Sequence, residues 1–413
     1  MLTKTQFRSL LGAAILGMTV TIATPVMATN DAMLDLIDIM QKKGTLTRAE
    51  ADALRQAAVA DAEQTEKMKK DVAKAASSSG GSADWTKTIK LKGDMRARYQ
   101  YDNKDSGALN RDRGRLRYRL GIIANPIATW EVGAGFASGG DDPRSTNQTF
   151  QDAFSTKGLN LDYAYVEHEF GMGAKAIAGK FGRKHWLYQS TDLMWDGDIN
   201  PEGFSANYGG KNQWGNWFLN GGLYVIDESS SLADDPYMFF GQLGQKWKSN
   251  DWFGTLAVTG YGLSEVGPGT GAFITRPGGA VGNTDNKFGI VQGSGEIGTK
   301  LGDGKASLLF DFVNNFATDT SEDMGFAVGG QYKISAWKLK YLYASLDANA
   351  VPDFLPDSDR FDGNTNMHSH EFIIEYAWNK FVTTGLDYYH STSTIPAAKD
   401  TQDVLQADLL VKF

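Results

Sequence analysis

Cysteine is absent from the 413 residues, which excludes a disulfide framework, a thiolate nucleophile and any Cys-ligated metal, and makes an oxidising compartment harmless. Histidine is scarce: the chain has His168, His185, His368, His370 and His390 and no others. None stands in a recognisable nucleophile motif and no Gly-x-Ser-x-Gly run occurs, so a serine hydrolase has nothing to start from. His368 and His370 could share one strand face and hold a metal, but a solvated pair at a loop-to-strand junction suits them better, and neither metal nor cofactor is expected. A basic excess is missing too, since the net charge of −8 argues against general nucleic-acid binding. Beyond residue 28 no uninterrupted apolar run is long enough for a membrane helix. A mature chain seated in a membrane must therefore cross it as a closed barrel.

What is present begins with an export address. Lys4 and Arg8 form a basic start, an apolar stretch runs from Leu10 to Ile22, and Val26-Met27-Ala28 offers a small-residue cleavage site, so residues 1–28 read as a cleaved signal peptide. Residues 29–76 change character. Met33, Leu34, Ile37 and Met40 fall at helical spacing, Gly44 interrupts them, and Thr47-x-x-Glu50 is a capping box for a second, alanine-rich helix over about 48–75 with a thin seam of Leu54, Ala58, Met68 and Val72. A helical hairpin that associates as a weak coiled coil and a solvated spacer are both compatible with that pattern. The Ser/Gly run at 77–84 reads as a flexible linker.

From Trp85 the period becomes two. Leu91, Met95, Ala97, Tyr99 and Tyr101 alternate with Lys92, Asp94, Arg96, Arg98 and Gln100, and Leu116, Tyr118, Leu120 and Ile122 alternate with Arg115, Arg117 and Arg119. A soluble sandwich also alternates, so the pattern alone leaves both architectures open. The connections favour the barrel. Short turns at Asn125-Pro126, Gly171-Met172-Gly173, Gly302-Asp303-Gly304 and Asn379-Lys380 take turns with long polar loops at 138–158, 183–202, 264–286 and 347–367. Trp130, Trp217, Trp252, Trp337 and Trp378 gather at strand ends, where an interfacial girdle would lie. With 47 Gly, 22 Phe, 16 Tyr and 10 Trp, and a last strand that alternates to a terminal Phe413, the expected fold is all-β. It is a transmembrane antiparallel barrel of roughly sixteen strands over 85–413, preceded by a short helical segment.

The charged residues suggest where transport chemistry would lie. Arg96, Arg98, Arg115, Arg117 and Arg119 occupy one inner face, and the third external loop, at about 182–202, carries Asp192, Asp196, Asp198 and Glu202. Opposed charges across a narrow aqueous gap order its water, which favours polar solutes over apolar ones. The arginines favour anions whereas the loop and the net charge favour cations, so a mixed, poorly selective pore is expected, with Lys338 and Lys340 able to contribute from a later strand.

Three runs resemble a known family: Gly139-Gly140-Asp141-Asp142-Pro143-Arg144-Ser145-Thr146-Asn147-Gln148-Thr149, Lys157-Gly158-Leu159-Asn160-Leu161-Asp162-Tyr163-Ala164-Tyr165, and Asp192-Leu193-Met194-Trp195-Asp196-Gly197-Asp198-Ile199-Asn200-Pro201-Glu202-Gly203. They look like the "putative porin" family of Gram-negative outer membranes, most densely over 85–205, and the helical hairpin resembles the segment such proteins carry ahead of the barrel. The resemblance implies a trimeric, general or moderately selective porin of the cell outer membrane, whose third loop folds inward. It implies outer-membrane lipid, small hydrophilic solutes and ions as partners and no enzymatic activity. Two other readings remain beside it: a barrel enzyme, and an anchor or adhesive barrel whose N-terminal helices reach the cell wall.

Overall fold

The computed structural model describes residues 40–44, 47, 48, 51, 52, 55, 56, 85–105, 110–228, 235–264, 282–285, 287–394 and 400–413. The chain divides into two units, Met1–Asp84 and Trp85–Phe413. The expected signal peptide lies outside the described residues, as do nearly all of the expected hairpin and the linker; within the hairpin, residues 40–42, 48, 51, 52, 55 and 56 are helical.

In the second unit the period-two segments become strands. A short 3-10 turn at Trp85–Thr88 leads into β1 (Lys90–Lys104), β2 (Arg111–Ile127) and β3 (Trp130–Ser138). There follow β4 (Gln148–Thr149), β5 (Leu159–Gly171), β6 (Ala174–Lys180), β7 (Glu202–Asn212), β8 (Gly215–Val225) and β9 (Tyr237–Ser249). The rest are β10 (Trp252–Leu263), β11 (Gly289–Leu301), β12 (Gly304–Asn315), β13 (Met324–Ile334), β14 (Trp337–Leu346), β15 (Met367–Ala377), β16 (Val382–Ser393) and β17 (Thr401–Lys412). Every pairing is antiparallel, and β1 pairs with both β2 and β17, so the sheet closes on itself. The two-residue β4 belongs to a loop that pairs with β2, which leaves a 16-strand wall.

Burial decides between barrel and sandwich. Met95, Tyr99, Leu243, Val258, Leu308 and Phe372 face outward and stay exposed, whereas Arg98, Gln100, Arg117, Gln242, Gln292 and Asp311 on the alternate positions are buried. A water-soluble sandwich would hide the first set and expose the second. The inverted pattern suits a wall whose outside meets hydrocarbon and whose inside meets water and protein.

Turns of two to four residues join the strand pairs at one rim, and the long connections lie at the other. One expected turn moves: Asn125 and Pro126 lie inside β2, at a bulge between Ala124 and Ile127, and the chain turns at Ala128-Thr129 instead. The bulge accommodates a proline that donates no ladder hydrogen bond. Trp130, Trp252, Trp337 and Trp378 all sit exposed at the short-turn rim, where indole rings straddle headgroup and hydrocarbon.

The interior has two unlike halves. Along β8 to β15 the inner wall offers Tyr224, Met238, Phe240, Ile290, Val313, Leu342 and Met367, and these pack with Trp186, Leu187, Leu193, Met194 and Trp195 of the 181–201 loop and Leu355 of the 347–366 loop. Along β1 and β2 the inner wall is charged.

Candidate functional site

Strand parity positions the basic row. Arg96 and Arg98 on β1 lie directly across from Arg117 and Arg115 on β2, and Asp94 lies across from Arg119. Arg113, two residues before Arg115, extends the same row and was legible from that parity alone. Six guanidinium groups at this spacing would repel one another strongly without anions between them.

Carboxylates from the strands supply most of that compensation. Asp94 accepts from Arg117 at 2.9 Å and from Arg119 at 2.7 Å. Asp408 on β17 takes Arg98 in a bidentate pair, both contacts 2.7 Å, and lies 3.6 Å from Arg96. Asp102 accepts from Arg113 at 2.5 Å. Arg115 has no carboxylate within 4.0 Å among the described residues; it donates to Gln100 at 2.8 Å and to Ser145 at 3.4 Å.

The 181–201 loop lies across the lumen and is fastened to the far wall. Gln242 on β9 accepts from the Tyr188 amide at 2.9 Å and donates back to the Tyr188 carbonyl at 2.8 Å. Asp311 on β12 accepts from the Thr191 amide at 2.7 Å and from its hydroxyl. Arg183, fully buried, stacks over Trp195 with its guanidinium carbon 5.2 Å from the ring centroid and donates to the Asp196 carbonyl at 2.7 Å.

The acidic residues of this loop separate in space. Asp198 meets the basic row: it lies 3.6 Å from Arg119 and accepts from the Thr146 hydroxyl at 3.0 Å. Burial would raise its pKa, but Arg117 and Arg119 hold it below the ordinary value. Asp192 turns the other way and pairs with Arg360, which also donates to Glu371 at 2.6 Å. For Asp192, too, the burial that would raise its pKa is outweighed by Arg360 and Lys340, which keep it low. Asp196 faces the 347–366 loop, accepting from the Ser358 amide at 2.9 Å while the Asp196 amide donates to the Leu355 carbonyl at 2.6 Å. Glu202 opens β7, exposed, and pairs with Lys180 at 2.8 Å. Lys338 and Lys340 are each paired with a glutamate, Glu375 and Glu371 respectively.

The 347–366 loop, expected as a polar external loop, packs into the barrel with the 181–201 loop. Asn349, Ala350 and Val351 are fully buried, and Asn283 holds the segment by donating to the Ala348 and Val351 carbonyls at 2.6 and 2.8 Å. Its Asp359 lies 3.4 Å from Arg98 and accepts from Gln406 at 2.8 Å, so this second loop also reaches the basic row. Among the described residues no cluster of metal-ligating side chains forms, and His368 and His370 lie on the outer face beside Tyr343 and Tyr341.

A closed antiparallel wall, apolar outside and charged inside, crossed by an inward loop, defines the class: a transmembrane barrel of the kind that encloses a polar lumen. Residues 102–268 match the family model described as "Putative porin", which bears out the resemblance carried by the three sequence runs. Among solved structures, an engineered mutant of the Rhodopseudomonas blastica porin aligns with a TM-score of 0.45 at 14% identity, covering 79% of this chain and 100% of its own. A loop-deletion mutant of OmpT, an outer membrane protein of Vibrio cholerae, aligns with a TM-score of 0.45 at 10% identity and the same coverage. No curated protein sequence matches the chain.

Proposed function

We propose that the protein is an outer-membrane porin, a passive diffusion channel for small hydrophilic solutes and ions. The observation that carries this reading is the inverted barrel: charged side chains are buried inside a closed wall whose exterior is apolar. Charge in such a lumen has a use only if water and solute share it. The narrowest passage runs between the basic row of Arg96, Arg98, Arg115, Arg117 and Arg119 and the inward loop, with Asp198 and Asp359 completing the transverse field. The channel works as a homotrimer in the outer membrane after export by the 1–28 leader, and the 29–76 helices contact the cell wall.

Planar-bilayer recording of the purified protein in a salt gradient tests this. Stepwise conductance in threes is expected, and the Arg96→Ala/Arg117→Ala double variant should move the reversal potential toward cations. A correctly folded barrel that opens no channels would sink the reading. Deleting residues 29–84 should leave unit conductance unchanged.

A further inference from the structure

A cavity of about 660 Å³ lies between the 181–201 loop and the wall formed by β17, β1, β2, β3 and β5, a volume in the range of small-molecule sites. Its floor is aromatic. The rings of Tyr163 and Tyr165, with centroids 5.9 Å apart, lie against Gly135 and Gly133 of the facing strand, where any added Cβ would penetrate them. Glycine at these two positions lets the rings flatten onto the wall instead of standing into the lumen.

Charge of both signs with no ion-pair partner within 4.0 Å among the described residues borders that floor. Lys92 on β1 and Lys412 on β17 have no carboxylate within 4.0 Å among the described residues, and the Lys92 ammonium stands 5.8 Å from the Tyr163 centroid. At the other edge, Glu131 on β3 accepts from the neutral Tyr165 hydroxyl at 2.8 Å, and Asp162 on β5 accepts from the neutral Asn200 amide at 2.9 Å. The backbones of β1 and β3 run two strand spacings apart, roughly 10 Å. An extended peptide covers about 3.3–3.6 Å per residue, so two or three residues match that span.

We infer that this cavity is a solute-binding site for short zwitterionic peptides of two or three residues, carboxylate toward Lys92 and Lys412, ammonium toward Glu131 and Asp162, with an apolar side chain on the tyrosine floor. The inference rests on the pore reading and names the solute class of that pore.

The test is block of single-channel current in planar bilayers by alanyl-phenylalanyl-alanine, compared with its N-acetylated form, its C-terminal amide and free phenylalanine. The unmodified tripeptide should block at about tenfold lower concentration than any of the three, a difference of about 1.4 kcal/mol. Lys92→Gln/Lys412→Gln should erase its advantage over the amide, and Glu131→Gln/Asp162→Asn its advantage over the acetylated form, with conductance steps retained in both variants. Equal block by all four probes, or an advantage untouched by either variant, would overturn the inference while leaving the pore in place. Absence of any channel from the folded wild type would overturn the pore reading and this site with it.

Discussion

Asp196 shows how a single residue can tie pH to the lumen. Its carboxyl is buried against Asp198, and burial first, then that neighbour, push it up to about 7 from the ordinary 3.8. Asp357 in the facing loop is raised in the same way by burial and by Asp192, and Asp359 stands nearby. A carboxyl with a raised folded-state pKa is protonated in the folded barrel and already ionised in the unfolded chain between about pH 4 and 7. The folded state binds more protons in that window, so stability falls as pH rises through it, by up to about 1.4 kcal/mol per pH unit for one group. Urea unfolding followed by tryptophan fluorescence should thus give a lower midpoint at pH 8 than at pH 5. Asp196→Asn should flatten part of that dependence, whereas an unchanged pH profile would show that Asp196 does not ionise in this window.

At the scale of elements, strand side chains fasten the inward loop to the far wall. Asp311 receives the Thr191 amide and hydroxyl, and it also accepts from Gln292 at 3.0 Å. Asp311→Ala leaves the buried Thr191 amide and hydroxyl and the Gln292 amide without this acceptor, at a cost of about 1–3 kcal/mol for a buried unpaired group. The barrel should still close, because the ladder hydrogen bonds of β11, β12 and β13 are untouched. The loop should loosen, and single-channel recordings should show greater current noise. Quiet, wild-type traces would mean that the Gln242 clasp on Tyr188 suffices.

The molecule as a whole depends on the outward face meeting hydrocarbon. Val258, midway along β10, is exposed and pairs with exposed Leu243 on β9, while its neighbour Thr259 points inward and is fully buried. Val258→Arg should destabilise the barrel in lipid by about 2–4 kcal/mol, the cost of a basic side chain at mid-membrane. Thr259→Ser, which keeps the hydroxyl that Gln242 uses, should change little. Equilibrium unfolding from phospholipid bilayers measures both, and equal stability of Val258→Arg and wild type would place that face outside the membrane.

Alternation from Trp85 onward, taken with the rhythm of short turns and long loops, determined the barrel and its roughly sixteen strands, and strand parity alone put the arginines on one face, because parity is a local property that reads directly from spacing. Arg113 obeyed the same rule. The arginines' partners were not legible in that way: Asp408 stands 310 positions from Arg98 and becomes its neighbour only when β17 closes on β1. The 347–366 loop looked like polar solvent-facing chain, yet Arg360 finds Asp192 and Glu371 inside and Asn283 takes its carbonyls. The acidic residues expected to oppose the arginines from the third loop are divided by the structure, Asp198 going to Arg119 and Asp192 to Arg360. Local backbone pattern selects strands and faces. Which charges meet across a lumen depends on closure and on how two loops share one interior, and those distances exist only in the folded barrel.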